Sequence, residues 1–75
     1  MTYLTLKASD EVRSQIGKFA QILNGYKIRI TAQRENEEAG TIEITTNAFL
    51  LMDIRSVKAA AYDCFGDALI SVKPE

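Results

Sequence analysis

The chain has no histidine and no tryptophan, a single cysteine, a single proline and four glycines in 75 residues. Without histidine there is no imidazole to act as general base or nucleophile, and every zinc site that uses histidine is excluded. The lone Cys64 cannot close an internal disulfide, so the fold has to stand on its apolar core, and the missing disulfide framework suits a reducing compartment. No apolar run approaches the roughly 18 residues that a membrane-spanning helix requires. Met1 leads directly into alternating sequence, without a charged leader and apolar segment, from which we expect no export signal and a cytoplasmic location. Neither sign of charge is in excess. Nine lysines and arginines against ten aspartates and glutamates give a net charge of −1, without the footprint of sequence-independent nucleic-acid binding.

An apolar share of 47% and a charged share of 25% are those of a globular protein. Residues 1–75 make one domain. A chain this short buries only about 60% of the surface its unfolded form exposes, so modest stability is expected.

In residues 2–8, TYLTLKA, Leu4 and Leu6 face one way and Tyr3, Thr5 and Lys7 the other, the period of a half-buried strand. Ser9 has the chemistry of an N-cap, and Asp10 and Glu11 follow where the helix dipole favours negative charge. Val12, Ile16, Phe19, Ala20 and Leu23 then form one helical face. Asn24 and Gly25 offer the left-handed conformation that ends a helix. Two more alternating segments follow, residues 26–32 with Ile28 and Ile30 inward and residues 41–46 with Ile42 and Ile44 inward, which should pair as a hairpin. The joining run QRENEEAG reads as a solvated loop. Thr46 or Asn47 is expected to cap a second helix, with Leu50, Ile54, Val57, Ala61 and Cys64 as its inward stripe and Gly66 as its end. Residues 67–73, DALISVK, give a last strand with Ile70 and Val72 inward, ended by Pro74. The order β-α-β-β-α-β, with one apolar stripe per element, predicts an α+β two-layer sandwich: a four-stranded, mainly antiparallel sheet with two helices on one face. HPr-like and ferredoxin-like strand orders both use these elements.

At the start of the second helix, Phe49, Leu51 and Met52 are apolar groups in excess of what one sheet can bury. They wedge between the first helix and the sheet, form a contact for another polypeptide or bind a ligand, and we take the second reading. Met and aromatic side chains are enriched at interfaces. Asn47, Asp53 and Arg55 would lie on the rim. The partner is a different protein or a second copy, and a homodimer would place the same patch across a two-fold axis.

The outward sheet face supplies the alternative, a small nucleic-acid-binding surface made by Tyr3, Lys7, Lys27, Arg29 and Lys73. Only Tyr3 offers a stacking platform there. Cys64 on the inward stripe is a small buried hydrophobe without a base to activate it. Glu35, Glu37 and Glu38 sit in the hairpin loop, too mobile for acid–base or metal chemistry. Gly17 either permits close helix contact or is merely tolerated. Nothing in the sequence calls for a cofactor, a metal or catalysis.

From Ser9 to Leu23 and from Thr46 to Met52 the layout resembles the HPr-like phosphocarrier family, in which a short first strand runs into an active-site helix and a second helix follows the β2–β3 hairpin. The resemblance lies in element order. That family caps its first helix with a phosphorylatable histidine followed by Arg-Pro-Ala, where this sequence has Ala8-Ser9-Asp10-Glu11-Val12. Thr46-Asn47-Ala48 stands where the family has a regulatory serine, and no counterpart of its C-terminal helix is found. The resemblance therefore implies a shared scaffold without phosphotransfer chemistry, and Asp10 and Glu11 would repel the acidic surroundings of a phosphoryl donor.

Overall fold

The computed structural model describes residues 1–74. Its elements are β1 (Thr2–Lys7), α1 (Asp10–Gly25), β2 (Ile30–Asn36), β3 (Thr41–Thr46), α2 (Leu51–Phe65) and β4 (Leu69–Pro74), with a 3-10 turn over Gly66–Ala68. The order is the one read from the sequence. All strand pairs are antiparallel and the sheet runs β2-β3-β1-β4. β1 and β2 are parallel but split by β3, and β3 and β4 are parallel but split by β1. Two interleaved split β-α-β units of this kind make the ferredoxin-like sandwich.

One core joins all the layers. Leu4 and Leu6 of β1 and Ile42 and Ile44 of β3 meet Val12, Phe19 and Leu23 of α1 and Val57, Ala60, Ala61 and Phe65 of α2, so both helices cover the same sheet face. Phe19 and Phe65 tie the helices together edge to face, with ring centroids 5.1 Å apart. The Ser9 hydroxyl accepts from the Val12 amide at 3.1 Å and caps α1 as expected. Gly66, with φ of 53°, closes α2.

Several expectations need correction. The left-handed residue after α1 is Lys27, with φ of 63°, not Asn24 or Gly25. The Lys27 amide donates to the Asn24 carbonyl and the Ile28 amide to the Leu23 carbonyl, each at 3.0 Å, the two bonds of a Schellman motif. That motif joins residues five apart through an apolar contact. Stopping at Gly25 would match Tyr26 with the polar Gln21, whereas stopping at Lys27 matches Ile28 with Leu23, both buried.

β2 starts at Ile30 and runs to Asn36, so Ile28 reaches the core from the preceding turn and half of the supposed loop is strand. The turn proper is 37–40, where the Asn36 side chain accepts from the Ala39 amide at 3.1 Å and Gly40 takes a φ of 67°. Backbone pairing with β3 carries β2 through its polar stretch, which needs no apolar face because this strand lies at the sheet edge. Thr31 is inserted as a bulge, since Ile30 pairs with Thr46 and Ala32 with Thr45. A second bulge overturns the expected inward position of Ile70. Leu69 pairs with Leu6 and Ser71 with Thr5, so Ile70 is the extra residue and is 57% exposed, while Leu69 packs on the core in its place.

Candidate functional site

The chain after β3 does not turn at once into a helix. Thr46 and Asn47, expected as caps, are used elsewhere. The Thr46 hydroxyl is buried and accepts from the Ala48 amide at 3.3 Å, while the Thr2 hydroxyl donates to the Ala48 carbonyl at 2.8 Å. The Asn47 side-chain oxygen accepts from the Arg29 amide at 2.9 Å, and the Asn47 amide donates to the Arg29 carbonyl at 3.1 Å. Residues 47 and 48 are thereby pinned to β1 and to the turn before β2. The helix starts at Leu51, five residues after Thr46 and four after Asn47, with Leu50 as an N-cap that makes no side-chain capping bond. Leucine is among the poorest residues at that position. Leu50 also stands off the inward stripe assigned to it and is 55% exposed.

Phe49, Leu51 and Met52 are 72%, 66% and 79% exposed. With Leu50 they make an unbroken run of large apolar side chains leaving the body of the domain at one end of the sandwich. Exposed Met1 lies at the same end, because Thr2 of β1 pairs with Thr46 at the close of β3. Arg29 is brought beside the run by its two bonds to Asn47, and Lys27 stands two residues before it. Asp53 and Arg55 follow in the first turns of α2. An isolated exposed leucine needs no explanation, whereas four contiguous exposed apolar side chains on a small domain call for one.

The outward sheet face differs from the expected one. Lys27 and Arg29 precede β2 and are not on it, because the Schellman turn and the late start of the strand place them at the end of the sheet. The arginine on this face is Arg34, whose guanidinium grips Glu43 across the strand pair at 2.8 and 3.2 Å. Tyr3 and Lys73 are register partners on β1 and β4, and Lys7 lies four residues from Tyr3, about 13 Å along the strand. A shallow groove of about 490 Å³ is lined here by Tyr3, Thr5, Arg34, Glu43, Thr45 and Lys73.

Cys64 is half-buried against the core, and burial pushes its thiol pKa up, which leaves it protonated and a weak nucleophile. Glu35 is on β2 rather than in the loop. Arg13 donates to both of its oxygens at 2.9 Å and to Asp10 at 2.8 Å, and the bond from Arg13 holds the Glu35 carboxyl below the usual glutamate range. Glu37 and Glu38 remain in the turn. Among the described residues no three acidic or cysteine side chains gather as metal ligands, and no helix is long and apolar enough to cross a membrane. A side chain built at Gly17 would meet nothing within 4 Å, so that glycine does not serve a close helix contact. Compared with known proteins, the chain matches no protein family, no curated protein and no solved structure.

Proposed function

We propose that the chain is a non-enzymatic interaction module that engages a polypeptide partner through the start of α2, with Phe49, Leu51 and Met52 at the centre of the contact and Asn47, Asp53 and Arg55 around it. The observation that carries this reading is Leu50 and its neighbours. Leu50 neither caps the helix nor enters the core, and the three large apolar residues around it are more exposed still. A serine or aspartate at position 50 would serve the helix better by about 0.5–2 kcal/mol. Keeping four exposed hydrophobic groups at a weakly capped helix start costs stability and solubility, and burial against a partner offsets that cost. A nucleic-acid surface on the outer sheet face draws less support, since Lys27 and Arg29 stand off that face and Arg34 is engaged by Glu43.

A photo-reactive phenylalanine analogue placed at position 52 in the source cell tests the reading. It should yield a covalent adduct with a polypeptide, and the same analogue at Gln21, exposed on α1, should not. Met52→Asp should stay folded, because the site is solvent-exposed and a negative charge suits the first turn of a helix, and it should lose the contact. Equal labelling from both positions, or none from position 52, would end the proposal.

A further inference from the structure

The antiparallel topology sorts the charges by end. At the end where α1 stops and α2 begins, Lys27, Arg29, Arg55 and Lys73 stand near the apolar tip, against Asp53 among the described residues. The opposite end, where α1 begins and α2 stops, carries Asp10, Glu11, Glu37, Glu38, Asp63 and Asp67 against Lys7, Arg13 and Lys18, whose charge reaches Cys64. Among the described residues, none of Lys27, Arg29, Arg55, Glu11 or Asp67 is held in an ion pair. The molecule therefore has a positive apolar pole and a negative pole, although its net charge is only −1.

The negative pole also has a receptor. Between the first turn of α1 and the last turn of α2 lies a cleft of about 240 Å³, lined by the polar Ser9, Glu11, Gln15 and Asp67 together with Val12, Cys64, Phe65 and Ala68. Exposed Tyr62, one turn before Phe65, and exposed Ile70, two residues past Ala68, belong to the same end. The flanking carboxylates are opposite in sign to the cations beside the tip.

We infer that the partner of the tip is a second copy of the chain, and that copies join head to tail, the start of α2 of one against the cleft between the α1 and α2 ends of the next. This rests on the interaction reading above and adds the identity of the partner. Charge selects this arrangement over a two-fold pairing of tips, which would bring Lys27, Arg29 and Arg55 of one copy against the same cations of the other. With tip and cleft at opposite ends of the molecule, an end-to-end contact leaves one tip and one cleft unused at two copies, so it generates open chains or rings.

Sedimentation equilibrium of the purified protein decides between these arrangements. At low ionic strength the average mass should rise with concentration past twice the monomer mass, and it should fall back as salt shortens the Debye length to about 3 Å near 1 M. Phe49→Asp should remove the tip, and Glu11→Lys with Asp67→Lys should reverse the cleft. Each variant, checked for fold by circular dichroism, should sediment as a monomer. Mixed in equal amounts, the two should form a species of twice the monomer mass and nothing larger, because only one intact tip and one intact cleft can meet. If the lysine pair does not fold, Glu11→Gln with Asp67→Asn removes the charge without reversing it and should lower the association constant at least tenfold. Native protein that stays monomeric, or cleft variants that still associate as the native protein does, would overturn the head-to-tail contact. An adduct to a different protein at position 52 together with a monomeric native chain would refute head-to-tail joining while leaving the interaction reading intact. No adduct at position 52 together with a monomeric native chain would remove the two readings together.

Discussion

Lys27 offers a sharp test of how α1 ends. Its φ of 63° is in the left-handed region, where a side chain costs about 1–2 kcal/mol and glycine nothing. Glycine returns part of that gain through the greater freedom of its unfolded chain, about 0.4–1 kcal/mol. The net conformational benefit of Lys27→Gly is therefore about 1 kcal/mol. Against it stands the loss of a cation just past a helix C-terminus, about 0.3–1 kcal/mol at an exposed site. Lys27→Ala separates the two, because alanine loses the charge and keeps the Cβ. The glycine variant should exceed the alanine variant by about 1 kcal/mol in urea unfolding with unchanged slope, roughly 4–8 °C in melting temperature for a domain of this size. Glycine should match or exceed lysine, and alanine should fall a few tenths below it. Equal stability of the glycine and alanine variants would show that the chain does not turn left-handed at Lys27, and the Leu23–Ile28 account of the helix end would fail with it.

Gly17→Ala should stabilise the protein by about 1 kcal/mol, because the position is helical and the added methyl meets open space; a loss in thermal unfolding would mean a contact exists there. Ile44→Ala should cost about 2–5 kcal/mol from the fully buried centre of the sheet, Ile30→Ala less from the edge strand, and Ile70→Ala within about 0.5 kcal/mol from its bulge. Chemical denaturation of the three variants checks that order, and a large loss at Ile70 would place it back in the core. Glu35 has a depressed pKa in the folded state, so its contribution is present above the unfolded glutamate value of about 4.3 and disappears as pH falls through the folded value. Glu35→Gln should therefore flatten the acid limb of the stability curve below about pH 4.5, and a limb unchanged from the native one would show that the bonds to Arg13 carry no weight in solution.

The outward role of Tyr3 and Thr5, the inward role of Leu4, Leu6, Ile42 and Ile44, the face of α1, the Ser9 cap and the stop at Gly66 were all legible in the sequence, because each depends on residues within a few positions of one another. A period of two or of 3.6 is set by local backbone geometry, and a cap needs only its own first turn. The surplus at Phe49, Leu51 and Met52 was legible for the same reason, since counting apolar residues around a helix start needs no knowledge of neighbours. The tertiary structure alone decided the bulges at Thr31 and Ile70, because a bulge is a mismatch in count between two strands and exists only once the partner's register is fixed. It decided the start of α2 as well, since Thr46 and Asn47 have the chemistry of caps and spend it on neighbouring Ala48 and on Thr2 and Arg29, which are distant in sequence. Lys27 and Arg29 left the sheet face because the end of α1 is chosen by burying Leu23 against Ile28. The separation of charge into two poles also belongs to the tertiary level: the residues alternate in sequence, and only the reversal of direction at every connection gathers the acids at one end and the cations beside the tip at the other.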